Sequence, residues 1–240
     1  MVPEKLLEEF VERAKTAAGA NLVSVVLYGS VLSPEYHPEH SDLNLLCVVR
    51  EASAQALDAL VPTTDWWTGK KNPMPLIFPK DELLNGADIY PIELLDMKRR
   101  HRILHGEDLL QNLDIPLNLH RIQVEHDLRT NLLRLRQRYL AIRGKSGKVL
   151  DLMLESVTSF LTLFRHAVIV MGQAPPASRR DAVKALAAQL GFDAAVFLEL
   201  MDTRTGKSSS RPADVPGAFA KYLQGIAAVT HAVDALGHSR

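Results

Sequence analysis

The chain has 240 residues, enough for one large domain or two modest ones around a buried core, and two are expected. Its 28 Lys and Arg balance 28 Asp and Glu, so no summed field steers it toward nucleic acid or an acidic membrane surface, and any polyanion contact must be local. The single cysteine, Cys47, rules out an internal disulfide framework and predicts a protein of a reducing, cytoplasmic compartment.

Leu6, Phe10, Val11, Ala14 and Ala17 or Ala18 recur at helical spacing and Gly19 stands at a stop, so the chain opens with an amphipathic helix. Charge on every turn of that helix leaves no apolar segment of the signal-peptide kind. The run "LVSVVLY" is rich in β-branched residues and ends at Gly29, as a strand feeding a tight turn does. "DLNLLCVV" predicts a second strand, with Asp42 and Asn44 on one face and Leu43 and Leu45 on the other. A helix over 52–60, a loop holding Trp66 and Trp67, and a short strand "PLIF" follow. "ADIYPIELLDM" predicts another extended run, at a sheet edge or bulged, because Pro91 has no N–H to give a ladder. "MKRRHRILHGED" predicts a helix ending at Gly106. Strands alternating with helices over about the first 110 residues imply a layered α/β arrangement.

From Leu119 onward the apolar residues recur at three and four, predicting two long helices joined by the loop "RGKSGK". Two shorter helices, "RRDAVKALAAQL" and "AAVFLELMD", a polar loop "TRTGKSSSRPADVPG" and a final helix over 219–236 complete a helical bundle. The domains are expected at 1–112 and 113–240, and the apolar helices of the second leave room for a homodimer interface. The most apolar stretch, "VTSFLTLFRHAVIVM", carries Arg165 and His166 and is short for a bilayer span, so no membrane association is expected.

The chemistry is concentrated where the first strand stops. A glycine directly after a strand lets backbone approach a ligand closely, and the neighbouring Ser30 offers an amide and a hydroxyl to a phosphate oxygen. An acid opening the next strand can hold a divalent cation against that phosphate. The arrangement Gly29-Ser30, eleven residues, Asp42-Leu43-Asn44 resembles the signature of the nucleotidyltransferase superfamily with a polymerase-beta-type catalytic core. The resemblance lies in the first 110 or so residues by motif and more loosely in the whole chain, since aminoglycoside nucleotidyltransferases also append a helical bundle. It implies that Gly29 and Ser30 touch the phosphates of a nucleoside triphosphate and that Asp42 ligates Mg²⁺. The sequence departs from the family at Asn44, a neutral amide where active members carry a second metal-binding acid. An amide carbonyl can coordinate a cation but supplies no charge to offset repulsion between two Mg²⁺ ions.

For a third acid the candidates are Glu93 and Asp88. The family pattern favours Glu93, while a plainer reading has Asp88 capping a turn and Glu93 solvated. The resemblance also implies a base from the first bundle helix, where Glu125 stands; the alternative is an ion pair with Arg121 or Arg129 at four-residue spacing. The basic run Lys98 to Arg102 could neutralise a triphosphate or contact RNA, and is more commonly a solvated helix face. Arg134, Arg136, Arg138 and Arg143 invite the same reading. Arg121 and His126 match the spacing of the helical ribonucleases of the HEPN type, but Ile122 replaces the polar residue that motif needs. "GKSSS" lacks the first glycine and preceding strand of a phosphate loop, and Trp66-Trp67 could stack a base or pack the core.

The expected fold class is α+β, a mixed-sheet nucleotidyltransferase domain followed by an all-α bundle closing over one side of its cleft. The expected function is Mg²⁺-dependent transfer of a nucleoside monophosphate from a nucleoside triphosphate to a hydroxyl of a small molecule or protein. Asp42, Asn44 and Glu93 would hold metal, Gly29 and Ser30 phosphate, and Glu125 would be the base. The alternative is a catalytically degenerate nucleotide-binding or protein-interaction module of the same fold. Nucleic acid is not an expected partner, given the neutral balance.

Overall fold

The computed structural model describes residues 2–32, 42–206 and 212–237. It divides into two compact units, Met1–Leu117 and Asn118–Arg240. Residues 33–41, between the Gly29-Ser30 turn and Asp42, lie outside the described residues, as do 207–211 of the polar loop and of "GKSSS".

In the first unit, α1 (Glu4–Ala18) buries Leu7, Phe10, Val11 and Ala14 on one stripe. Strand β1 (Leu22–Tyr28) pairs antiparallel with β2 (Asn44–Val49), and β3 (Leu76–Pro79) pairs parallel with β2. With β4 (His101–Gly106) antiparallel to β1, the sheet runs β3-β2-β1-β4 and is mixed. Side chains alternate across it and both faces are covered. Val25, Leu27, Leu43, Leu45 and Cys47 meet α1 and Trp67 on one side; Val26, Leu46 and Val48 meet Leu83, Leu94 and Met97 on the other. The Cys47 thiol is accordingly buried, and that burial pushes its pKa up to about 12. It is a packing residue.

Three expectations about local structure are corrected. The helix placed over 52–60 is α2 (Ala54–Gly69); it starts at Ser53, whose hydroxyl accepts from the Ala56 N–H at 3.3 Å, and it continues through Pro62. Trp66 and Trp67 are therefore helical, not in a loop. Trp67 is fully buried edge-on to Phe10 (centroids 4.9 Å apart), with its Nε1 donating to the Pro73 carbonyl at 3.0 Å. Packing of that ring outweighs the local penalty of an interior proline. Trp66 lies under the Arg13 guanidinium.

Second, "ADIYPIELLDM" is not a strand: after the short helix α3 (Lys80–Asn85) and a turn, Pro91 opens α4 (Pro91–Arg99). Proline's missing N–H is harmless at a first helical position, where that donor has no intrahelical partner. Third, "HRILHG" is strand β4 and not a helix. Its partner β1 is distant in sequence, and pairing with it overrides the helical spacing of the basic residues. Gly106, read from sequence as a helix stop, sits at φ +77°, where an added Cβ would collide with the Val23 carbonyl.

The second unit is all-helical: α5 (His120–Ile142), α6 (Ser146–Val170), α7 (Arg179–Leu190), α8 (Ala195–Arg204) and α9 (Val215–Ala235). The last begins four residues before its expected start, because the Asp214 carboxylate accepts from the Gly217 N–H at 2.9 Å and caps it. Helix α6 is the axis, and α5, α7, α8 and α9 all pack on it. It is longer than its apolar stretch suggested; by length and composition alone it could cross a membrane, yet half of its most apolar window is buried in the bundle. The α+β class, a mixed-sheet unit followed by a helical unit, is as the sequence led one to expect.

Candidate functional site

The end of β1 gathers the predicted residues of the first unit. Tyr28 stands opposite Asn44 on β2 and opposite His101 on β4. Alternation puts Tyr28 and Asn44 on the sheet face that carries Val26 and Leu46, the face α4 covers through Leu94 and Met97. Burial pushes the Tyr28 phenol up to about 12, and the nearby Glu93 carboxylate adds to the shift. Glu93, exposed in the first turn of α4, thus lies near Tyr28.

The turn itself follows directly. Gly29 adopts φ +92°, and a Cβ built there would lie 3.0 Å from Nδ2 of Asn44. The Asn44 amide therefore lies close to the bare backbone of the turn, where a side chain at position 29 would crowd it and the positive φ favours glycine. Ser30–Leu32 forms one turn of 3₁₀ helix, closed by the Leu32 N–H donating to the Gly29 carbonyl at 3.2 Å and anchored by buried Val31. Asp42 precedes β2 and is exposed, while its neighbour Leu43 is buried in the opposite core. Asp88 sits half-buried in the turn between α3 and α4.

Sequence reasoning missed two contributors. Tyr28 was passed over as the last residue of a strand. His101 was read only as part of a basic run, yet its Nδ1 faces the carbonyls of Met97 (3.0 Å) and Lys98 (3.2 Å) and its Nε2 faces both Asp108 oxygens at 3.0 and 3.1 Å. Burial would raise the Asp108 pKa, but donation from the Gln111 amide and from His101 holds it below its ordinary value. The pair staples the start of β4 to the loop after it. Only the Tyr-Gly-Ser adjacency hinted at Tyr28; nothing local links His101 to Asp108.

The basic run does not form one patch. Lys98 donates to the Leu113 carbonyl at 2.7 Å, while Arg102 leaves on the other sheet face to make a two-pronged ion pair with Glu4 at 2.9 and 2.8 Å.

Among the described residues no three His, Cys, Asp or Glu side chains come together to hold a metal ion. By donor chemistry alone, a carboxylate at Asp42 and an amide oxygen at Asn44 would suit one Mg²⁺ completed by waters and phosphate oxygens. They do not fit two closely spaced ions, since only one of them carries charge.

In the second unit, Glu125 on α5 accepts from Arg121 Nη1 at 2.7 Å and from Arg129 Nε at 2.8 Å, and Arg129 also reaches Asp234 of α9 at 2.8 Å. Both carboxylate oxygens are therefore engaged by guanidinium groups, as the ion-pair alternative at four-residue spacing expects. His126 is turned to Asp127 at 2.9 Å, so Arg121 and His126 do not converge as the ribonuclease spacing requires.

No protein-family model matches the sequence, and no curated protein sequence does either. Among solved structures the fold is similar to a spectinomycin adenyltransferase from Enterococcus faecialis determined with ATP and spectinomycin. The identity is 17% and the TM-score 0.57, with 94% of this chain and 98% of that one covered. The likeness establishes the nucleotidyltransferase fold.

Proposed function

We propose that the protein is a nucleotidyltransferase that moves a nucleoside monophosphate, from ATP in the first instance, onto a hydroxyl of a small-molecule acceptor. The observation that carries this reading is the convergence of the Gly29-Ser30 turn, Asn44 and Glu93 at one end of one sheet face. A solved protein of like fold across both units, holding ATP and spectinomycin, lends it support.

In this reading the Ser30 hydroxyl and the backbone at Gly29 bind phosphate oxygens, using the close approach that a residue without Cβ allows. Asp42, assisted by the Asn44 carbonyl, would hold one Mg²⁺, which when bound neutralises phosphate charge. The acceptor oxygen attacks the α-phosphorus, the bond from that phosphorus to the bridging oxygen breaks, and pyrophosphate leaves. Glu93 takes the hydroxyl proton; Glu125, clamped by two arginines, is left to orient α5.

Asn44 favours a second reading, in which the same turn binds the nucleotide without transferring it. Pyrophosphate release from ATP in the presence of spectinomycin and other polyols separates the two. Transfer predicts release that needs both acceptor and Mg²⁺ and is lost in Asp42→Ala. Binding without release in wild type, with release gained in Asn44→Asp, supports the non-catalytic reading instead.

A further inference from the structure

The second unit has a concavity that the proposed reaction does not use. Helices α5 and α9 run antiparallel, since Arg129 pairs with Asp234 while Tyr139 stacks on Phe219 with centroids 4.2 Å apart. Between them lies a cavity of about 230 Å³. Arg129, Leu132 and Arg136 reach it from α5, and Thr230, His231 and Asp234 from α9.

The walls differ in charge state. Arg129 is neutralised by Glu125 and Asp234. Leu132 and Thr230 are buried, and the Thr230 hydroxyl donates within its own helix to the Ile226 carbonyl at 2.8 Å. Arg136 and His231, both exposed, have no hydrogen-bond or ion-pair partner among the described residues. A second observation comes from the sequence: residues 128–150 hold seven Arg and Lys and no Asp or Glu, in a chain whose charges otherwise cancel. The groove thus lies on a stretch of chain with a local excess of positive charge.

We propose that the α5–α9 groove binds a small phosphate or carboxylate anion, taken by the fork of Arg136 with His231 beside it. A guanidinium offers paired donors that match two oxygens of either group. Size sets the class of ligand. A cavity of about 230 Å³ falls below the roughly 300–1,000 Å³ typical of sites for drug-sized molecules, so an inorganic anion or a short metabolite fits and a whole nucleotide does not.

The test is calorimetry on the full chain in chloride buffer, with inorganic phosphate and citrate as separate probes and amide NMR shifts of Thr230 and His231 to locate the site. Arg136→Glu should weaken binding by about tenfold or more, the loss of a charge-assisted pair. Arg134→Glu changes the net charge equally on the same exposed helix, does not line the groove, and should leave affinity nearly unchanged. Binding of phosphate alone or of citrate alone would each support the site and name its headgroup. No saturable heat or local shift at millimolar anion overturns the proposal, as does equal weakening by both reversals, which would mean a diffuse field. Asp42→Ala, assayed alongside, should not alter this binding, so its outcome is independent of the nucleotide reading.

Discussion

Tyr28 ends β1 directly opposite Asn44, which begins β2, and the Asn44 amide lies against the glycine that follows Tyr28. The turn and the strand that would bear the metal ligands are thus one packed feature. Gly29→Ala forces a side chain into the left-handed region and onto Nδ2, and should destabilise by about 1–2 kcal/mol. Adding Asn44→Ala should relieve the contact while leaving the backbone strain. Urea titration of the single and double variants reads this directly; a neutral Gly29→Ala would contradict the contact.

Glu93 and Glu125 make opposite predictions for chemistry. If Glu93 is the base, Glu93→Gln should lower the transfer rate by about 10²–10⁴ with little effect on nucleotide affinity, while Glu125→Gln should lower it by less than about tenfold. Single-turnover kinetics with saturating acceptor distinguish them. The reverse ranking would return the role to Glu125 despite its two arginines.

The second unit carries a buried imidazole pair, His120 Nε2 to His166 Nδ1 at 2.9 Å. Burial, followed by the facing His166, pushes the His120 pKa from 6.5 down to about 4. Between those values the unfolded chain binds more protons than the folded one. This contribution is therefore intact above pH 6.5 and is lost as pH falls toward 4, by roughly 3 kcal/mol in full. Denaturation of wild type and His120→Asn across that window should show a steeper decline for wild type. Parallel profiles would refute the neutral buried state.

Trp67 is the largest fully buried side chain of the first unit, and Trp67→Ala should cost about 3–5 kcal/mol through the cavity it leaves and the loss of the Nε1 donor to Pro73. A loss below about 1 kcal/mol, read from the tryptophan-independent circular dichroism transition, would mean that α2 refills the space.

What the sequence made legible was local. The strands "LVSVVLY" and "NLLCVV" and the long helices of the second unit follow from composition and period, and the Gly29-Ser30 to Asp42 spacing pointed to the right fold. What stayed hidden depended on distant partners. The sequence "HRILHG" becomes a strand only because β1 offers an unpaired edge, and Pro91 could be read as a damaged strand or as a helix start with equal local warrant. The approach of Glu93 to Tyr28 and the His101–Asp108 staple are tertiary facts with no counterpart in spacing.

The most direct test of the nucleotide site is calorimetric titration of ATP and the other nucleoside triphosphates, with and without Mg²⁺, into wild type, Asp42→Ala and Asn44→Asp. The expected result is Mg²⁺-dependent binding to wild type, weakened by about tenfold or more in Asp42→Ala and strengthened in Asn44→Asp, where a second charge joins the first. Binding that is absent from wild type and Asn44→Asp alike, or indifferent to both Mg²⁺ and Asp42, would contradict it.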